Sequence, residues 1–494
     1  MEHFATTVAL VGIVIVVASL LSGVLEKSGL PIVAVFLALG AALGPYGLGL
    51  LDIGFDSPAL HVLSMLALAL VLFSDAVTLD LREIKEQRAL LWRVLGPGAL
   101  VPAALMAFAA NRLLGLPGPA AMILGAALAS TDPVILRSIL RSRSLPATVR
   151  TALRIESGTN DVVLLPIVVL SMIALQPTSA IVATTEQSIG RHLVGLFLLG
   201  PALGALVGWL GIVLLGQIRE RVGVRRDYES LYALGLAFTG FAFAEGVGGS
   251  GFLAAFAAGI MVSAQDVELC DCFLEYGEAT AEMLLLLTFV ALGLSLIWTG
   301  LTVIDLPTIA FTVLALVVRT AVLYPVLGRT HIGPRDRRLI ALFGPRGLSS
   351  LLLVLLPVFA GIDGAERLFT ITCLVVLSSV VLHGAGIALF LRANAEPAPL
   401  PGARQRLPVA DETTADDAPD ANAAKVSDRI TIDELRDLKQ LGEDVLIVDA
   451  RAERNLRNSD IQAVGAIRLD PHAPVRDATA LRLSQRATLV VYCA

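Results

Sequence analysis

Four groups of polar residues stand inside stretches that are otherwise apolar, and their side chains could hold a small cation or a proton. The first is Ser130-Thr131-Asp132-Pro133. Pro133 removes a backbone donor and clashes with the preceding turn, so a helix running through it should break. A break frees carbonyls, and these join two hydroxyls and a carboxylate in an oxygen-rich set. The second is Glu156-Ser157-Gly158-Thr159-Asn160-Asp161. On a helix, Ser157 and Asp161 stand four apart on one stripe, with Glu156 and Asn160 on the next. One stripe then offers a hydroxyl and a carboxylate, the other a carboxylate and an amide. Val162, Val163, Leu164 and Leu165 follow, which places Asp161 deep. The third is Gly344-Pro345-Arg346-Gly347-Leu348-Ser349-Ser350. An arginine at such depth needs a partner, and the glycines and proline predict another break. The fourth is Asp75, within Leu72-Phe73-Ser74-Asp75-Ala76. Each group has a plainer reading as well: a proline kink with a polar plug, a helix N-cap, a snorkelling arginine, a satisfied helix contact. Glu245, Glu282, Asp305 and His383 are isolated and read as structural or loop residues.

The elements that must position these groups follow from composition. The chain is 56% hydrophobic and only 16% charged. Apolar runs of roughly 20 residues, enough to span a bilayer as a helix, follow one another up to residue 392. The alternation of a membrane barrel is absent. About thirteen spans are expected, near 5–25, 30–50, 59–81, 90–111, 118–140, 151–175, 191–217, 229–247, 250–265, 279–298, 304–328, 337–360 and 368–391. The fold class is therefore an all-α polytopic membrane protein. The first run is too long for a signal-peptide core and reads as a retained helix. Lys and Arg concentrate in one set of alternate loops, including Arg82, Lys85, Arg88, Arg141, Arg143, Arg225, Arg226 and Arg335. Those loops should face the cytoplasm of a cell (inner) membrane. The N-terminus is then outside and the C-terminus inside.

The net charge of −6 says little, because the two parts of the chain differ in kind. Cys270, Cys272, Cys373 and Cys493 are too few and scattered for a disulfide framework. Nothing points to nucleic acid or to a bound cofactor. After Arg392, residues 393–428 are rich in Ala, Pro and Asp and read as a flexible linker. From Arg429 a soluble α/β pattern begins, with a helix over Ile432–Leu441 and short strands at Val445–Val448 and Leu489–Tyr492.

Taken together, the motifs at 130–133, 156–161 and 344–347 resemble the monovalent cation:proton antiporters, in the branch containing bacterial and animal sodium/proton exchangers. The resemblance covers residues 1–392. It implies inverted repeats, two crossing broken helices, a separate dimerisation domain, an elevator-like movement of the core and a homodimer in lipid. Asp161 then matches the ion-binding and proton-carrying aspartate, with sodium held there. Asn160 matches its partner, which is a second aspartate in the electrogenic branch. Glu156 and Arg346 match a buried pair supporting the core. Ser157, Thr131 (through its carbonyl) and Asp132 match positions at or beside the ion, and Asp75 stands near an acidic position of many relatives. Residues 429–494 resemble the first half of a rhodanese-like domain, with Cys493 at the position where that family's anion-cradling loop opens.

One carboxylate that takes either sodium or a proton makes the two compete, and that competition is exchange. An empty, charged Asp161 is costly to carry across the bilayer. One proton should therefore exchange for one cation without net current. The chain is expected to be a transporter and not an enzyme. The alternatives are a potassium/proton antiporter using the same residues, and a membrane-anchored rhodanese-like signalling protein in which the helices serve mainly as an anchor.

Overall fold

The structure is a computed structural model that describes residues 32–79, 87–140, 145–175, 193–222, 226–265, 271–328 and 332–393, with a few isolated positions between. In the C-terminal part it describes chiefly 445–449, 465–469 and 488–492. The expected span 5–25 and the linker 393–428 lie almost wholly outside the described residues, as do Cys270 and Cys493. Two compact units result, Met1–Ala398 and Pro399–Ala494.

Among the described residues of the first unit, every regular element is a helix. In chain order its helices are α1 (Ile32–Leu43), α2 (Pro58–Thr78), α3 (Arg88–Leu114), α4 (Gly118–Ala129), α5 (Pro133–Leu140) and α6 (Ala147–Leu175). Next come α7 (Gly200–Arg221), α8 (Arg226–Val247), α9 (Gly251–Ala264) and α10 (Asp271–Leu294). The last are α11 (Leu306–Leu327), α12 (Pro334–Leu342), α13 (Leu348–Phe359) and α14 (Ala365–Ala393).

Among the described residues, seven stretches are long and apolar enough to cross a membrane, or eight if the bent pair Thr280–Leu294 and Leu296–Val303 is one span. The sequence suggested about thirteen. The expected span 5–25 lies outside the described residues, and α1, α9, α13 and the apolar part of α8 are apolar but short. The 51° bend after Leu294 was not anticipated, and it gives way to a 3₁₀ segment at Leu296–Val303.

The helices sort into two packed groups. Helices α1, α2, α7, α8, α9 and α10 pack on one another, and α3 to α6 pack with α11 to α14. Close approach in the first group depends on small residues. A Cβ at Gly204 would lie 2.0 Å from the Ala254 carbonyl oxygen, so α7 and α9 touch backbone to backbone. Helix α2 connects the groups by packing on both α6 and α13.

The second group contains the same sequence of parts twice: a long helix, a broken helix and a 29-residue helix. The breaks fall at residues 130–132 and 343–347, as the Pro133 and Gly-Pro-Arg-Gly signals predict. Helix α6 begins at Ala147, well before Glu156. The 156–161 cluster is therefore mid-helix, which removes its reading as an N-cap.

In the second unit three short strands, β1 (Val445–Asp449), β2 (Ile467–Arg468) and β3 (Thr488–Tyr492), form a parallel sheet in the order β2-β1-β3. Strand β2 was not foreseen, being only two residues long.

Candidate functional site where two broken helices cross

The two breaks touch through their backbones: the Asp132 amide donates to the Pro345 carbonyl at 3.0 Å. Each break leaves one half-helix with unpaired carbonyls and another with unpaired amides. In lipid-depth surroundings these ends need partners within the protein.

Side chains of these motifs and one arginine of α11 supply them. Asp132 Oδ1 accepts from the Val134 amide at 2.7 Å, and Oδ2 accepts from the Leu348 amide at 2.5 Å. One carboxylate thus caps the N-terminal ends of both α5 and α13, where helix dipoles favour negative charge. Arg346 Nη1 donates to the carbonyls of Ala129 and Ser130, both at 3.0 Å, and so caps the C-terminal end of α4. Arg319, from α11, donates to the carbonyls of Ile340 at 3.0 Å and Ala341 at 2.6 Å, and caps the C-terminal end of α12. Both glycines of the third motif make room for these charges. A Cβ at Gly347 would lie 1.8 Å from Asp132 Oδ2, and one at Gly344 would lie 2.4 Å from Arg319 Nη1.

Asp161 sits beside this crossing with only 4% of its surface exposed. Ser130 donates its hydroxyl to Asp161 Oδ1, and Ser349 lies near the same carboxylate. Asn160, on the neighbouring stripe of α6, donates through Nδ2 to Thr131 Oγ1 at 2.8 Å. Its Oδ1 is buried without a protein partner. Ser157 is buried one turn before Asp161, its hydroxyl directed to the Arg154 carbonyl at 3.4 Å. Asp75 lies on α2 against the same helix: its β-carbon is 3.8 Å from where a Cβ on Gly158 would stand.

One expected pairing is wrong. Glu156 does not pair with Arg346. It binds Arg319 in a two-pronged bridge, Nε to Oε1 at 2.7 Å and Nη2 to Oε2 at 2.6 Å, both residues being buried. The reason is geometric. Arg346 is held by the carbonyls at the end of α4, whereas the Arg319 fork meets the carboxylate in the planar, bidentate arrangement that guanidinium favours. Sequence reasoning missed Arg319, although a lone arginine in the apolar run 306–327 was a visible signal. It also passed over the Ser130 and Ser349 hydroxyls, which sit within motifs it had recognised. Glu245 and Asp305 are structural, as expected: Glu245 accepts from the Gly251 amide at 2.8 Å and Asp305 caps α11 through the Thr308 amide at 2.8 Å.

A helical membrane fold with two crossing broken helices and a buried carboxylate beside them defines a class of ion-coupled transporters. Residues 13–393 match the family described as sodium/hydrogen exchanger, transmembrane. The chain belongs to that family and is a multi-pass monovalent cation:proton antiporter. It is 30% identical over 404 residues to the K(+)/H(+) antiporter NhaP2 of Shewanella sp. (strain ANA-3), a match covering 78% of this chain and 67% of that protein. It is 26% identical over 392 residues to the K(+)/H(+) antiporter NhaP of Alkalimonas amylolytica, with the same two coverages, 78% and 67%. Its fold is similar to that of the sodium proton antiporter MjNhaP1 from Methanocaldococcus jannaschii at pH 8. The TM-score is 0.60 at 22% identity, over 78% of this chain and 100% of that one.

Proposed function

We propose that this antiporter exchanges one sodium ion for one proton at Asp161, without net current. The observation that carries the reading is a charge balance. Among the described residues of the membrane unit, the buried charged side chains are Asp132, Glu156, Asp161, Arg319 and Arg346. Three negative and two positive groups leave one unbalanced negative charge when all are ionised. Glu156 is matched by Arg319, and Asp132 lies between two helix N-termini. The unmatched group is Asp161. A bare charge there resists transfer across the bilayer, and one proton or one monovalent cation removes it. Asn160 adds no ionisable group, which supports a one-for-one stoichiometry. Arginines stay protonated and so add no second proton site.

The ligands proposed for the cation are Asp161, the Ser157 hydroxyl and the Thr131 carbonyl, with water. Oxygen donors of this kind suit a hard cation. Both Asp132 oxygens already accept backbone amides, so its role is to hold the two breaks together beside the ion. Asp75 is proposed to attract the cation along the α2 side of α6. The N-terminus is proposed to face outward and the C-terminus the cytoplasm, following the loop arginines. A homodimer and a rhodanese-like character for the tail rest on the resemblance, and the parallel sheet β2-β1-β3 supports the latter.

Potassium is the second reading, favoured by the names of the Shewanella and Alkalimonas relatives. Proteoliposomes carrying a pH-sensitive dye, challenged with sodium, lithium or potassium, decide between them. The sodium reading expects proton flux driven by sodium, and flux driven by potassium alone overturns it. A rate that follows an imposed membrane potential overturns electroneutrality.

A further inference from the structure

The last helix of the membrane unit holds a serine and a histidine that the exchange mechanism above does not use. Ser379, on α14, is fully buried. Its hydroxyl oxygen accepts the Arg346 backbone amide at 2.7 Å. The same oxygen lies 3.0 Å from His383 Nδ1, one helical turn further along. This is an unusual use of a membrane serine. Elsewhere on the same helix Thr370, Thr372 and Ser378 return their hydroxyls to the carbonyl four residues back. Ser379 reaches across to the break.

The contacts continue to the ion site. The Arg346 backbone is held by Ser379, and its guanidinium holds the Ser130 carbonyl at 3.0 Å. The hydroxyl of the same Ser130 is bonded to Asp161. The order is therefore His383, Ser379, Arg346, Ser130, Asp161, each link a hydrogen bond or the span of a single residue. With one lone pair taken by an amide, the Ser379 hydroxyl still has its proton to donate to an acceptor. A neutral imidazole protonated on Nε2 offers Nδ1 as that acceptor.

We propose that Ser379 and His383 are positioning residues for exchange. They fix the Arg346 backbone, and through it they set where Ser130 presents its hydroxyl to Asp161. The proposal rests on the reading of Asp161 as the exchanging group. Asparagine at 383 keeps an acceptor near the Nδ1 position, leucine does not, and threonine at 379 keeps the hydroxyl that alanine removes.

The test uses the full chain in proteoliposomes, with cation-driven proton flux as one readout. The other is labelling of Asp161 by a hydrophobic carbodiimide, followed by mass spectrometry. Ser379→Ala and His383→Leu should each slow maximal exchange about tenfold, the scale of one lost hydrogen bond to a buried group. They should also change the Asp161 labelling rate by about the same factor. Ser379→Thr and His383→Asn should restore both readouts. Wild-type rates in Ser379→Ala and His383→Leu overturn the proposal. So does His383→Asn behaving like His383→Leu, because packing and not the hydrogen bond would then matter. Labelling needs no transport, so it judges the positioning role even if no tested cation drives flux, a result that counts against the exchange reading alone.

Discussion

Residues 88–175 and 306–393 have the same order of parts, yet the buried charges among their described residues are opposite. The first stretch carries Asp132, Glu156 and Asp161; the second carries Arg319 and Arg346. The arginines sit at the C-terminal ends of the half-helices α4 and α12, and Asp132 sits at the N-terminal ends of α5 and α13. Each of these three charges thus meets the helix end its sign suits. The division has a chemical meaning. Carboxylates gain and lose protons, whereas guanidinium groups do not in any accessible range. The buried groups of the first stretch can gain and lose a proton, whereas those of the second are permanent charges.

The sharpest way to break this comparison is at the charge that has no match. Asp161→Asn should abolish cation-driven proton flux while the protein still inserts and purifies. Exchange surviving in that variant would show that the unbalanced carboxylate is not the exchanging group. Next come the pairs across the two stretches. Glu156→Ala and Arg319→Ala should each destabilise the protein by about 3–5 kcal/mol, because each strands a buried charge. The double change to two methionines should recover much of that loss, since well-packed apolar residues can replace a buried pair. Thermal unfolding in detergent measures both. If Arg319→Ala is mild, the bridge seen here does not hold the core.

Two glycine substitutions sharpen the picture at smaller scale. Gly347→Ala brings a Cβ to 1.8 Å from the Asp132 carboxylate and should cost about 1–3 kcal/mol, as overpacking does. Gly158→Ala meets nothing closer than 3.6 Å and should leave stability unchanged or raised by up to about 1 kcal/mol, alanine being the better helix former. Equal losses at both positions would mean that the close approach at the crossing is not special. Asn160→Asp should change the kind of transport more than its stability, by adding an ionisable group to the first stretch. Voltage-sensitive exchange in that variant, measured as current across a planar bilayer, is the expected outcome.

Much of this could be read directly in the letters. Pro133 and the Gly-Pro-Arg-Gly run marked both breaks, because proline and glycine act on the backbone within one turn. Asp161 was placed deep because four apolar residues follow it on the same helix. The Glu156 partner was not readable. Arg319 lies 163 positions away in the chain, and two buried arginines were available to one glutamate. Nor was the link from His383 to Arg346 readable, since it depends on how α14 lies against the second break.

The sequence by itself determined that the chain crosses a membrane repeatedly, where its helices must break and that Asp161 lies buried within one of them. These follow from local rules: apolar length, proline chemistry and the apolar residues that follow the aspartate. Only the tertiary structure decided which arginine meets which acceptor and that one aspartate caps two helices at once. Those choices depend on distances between segments far apart in the chain, and no local pattern encodes them.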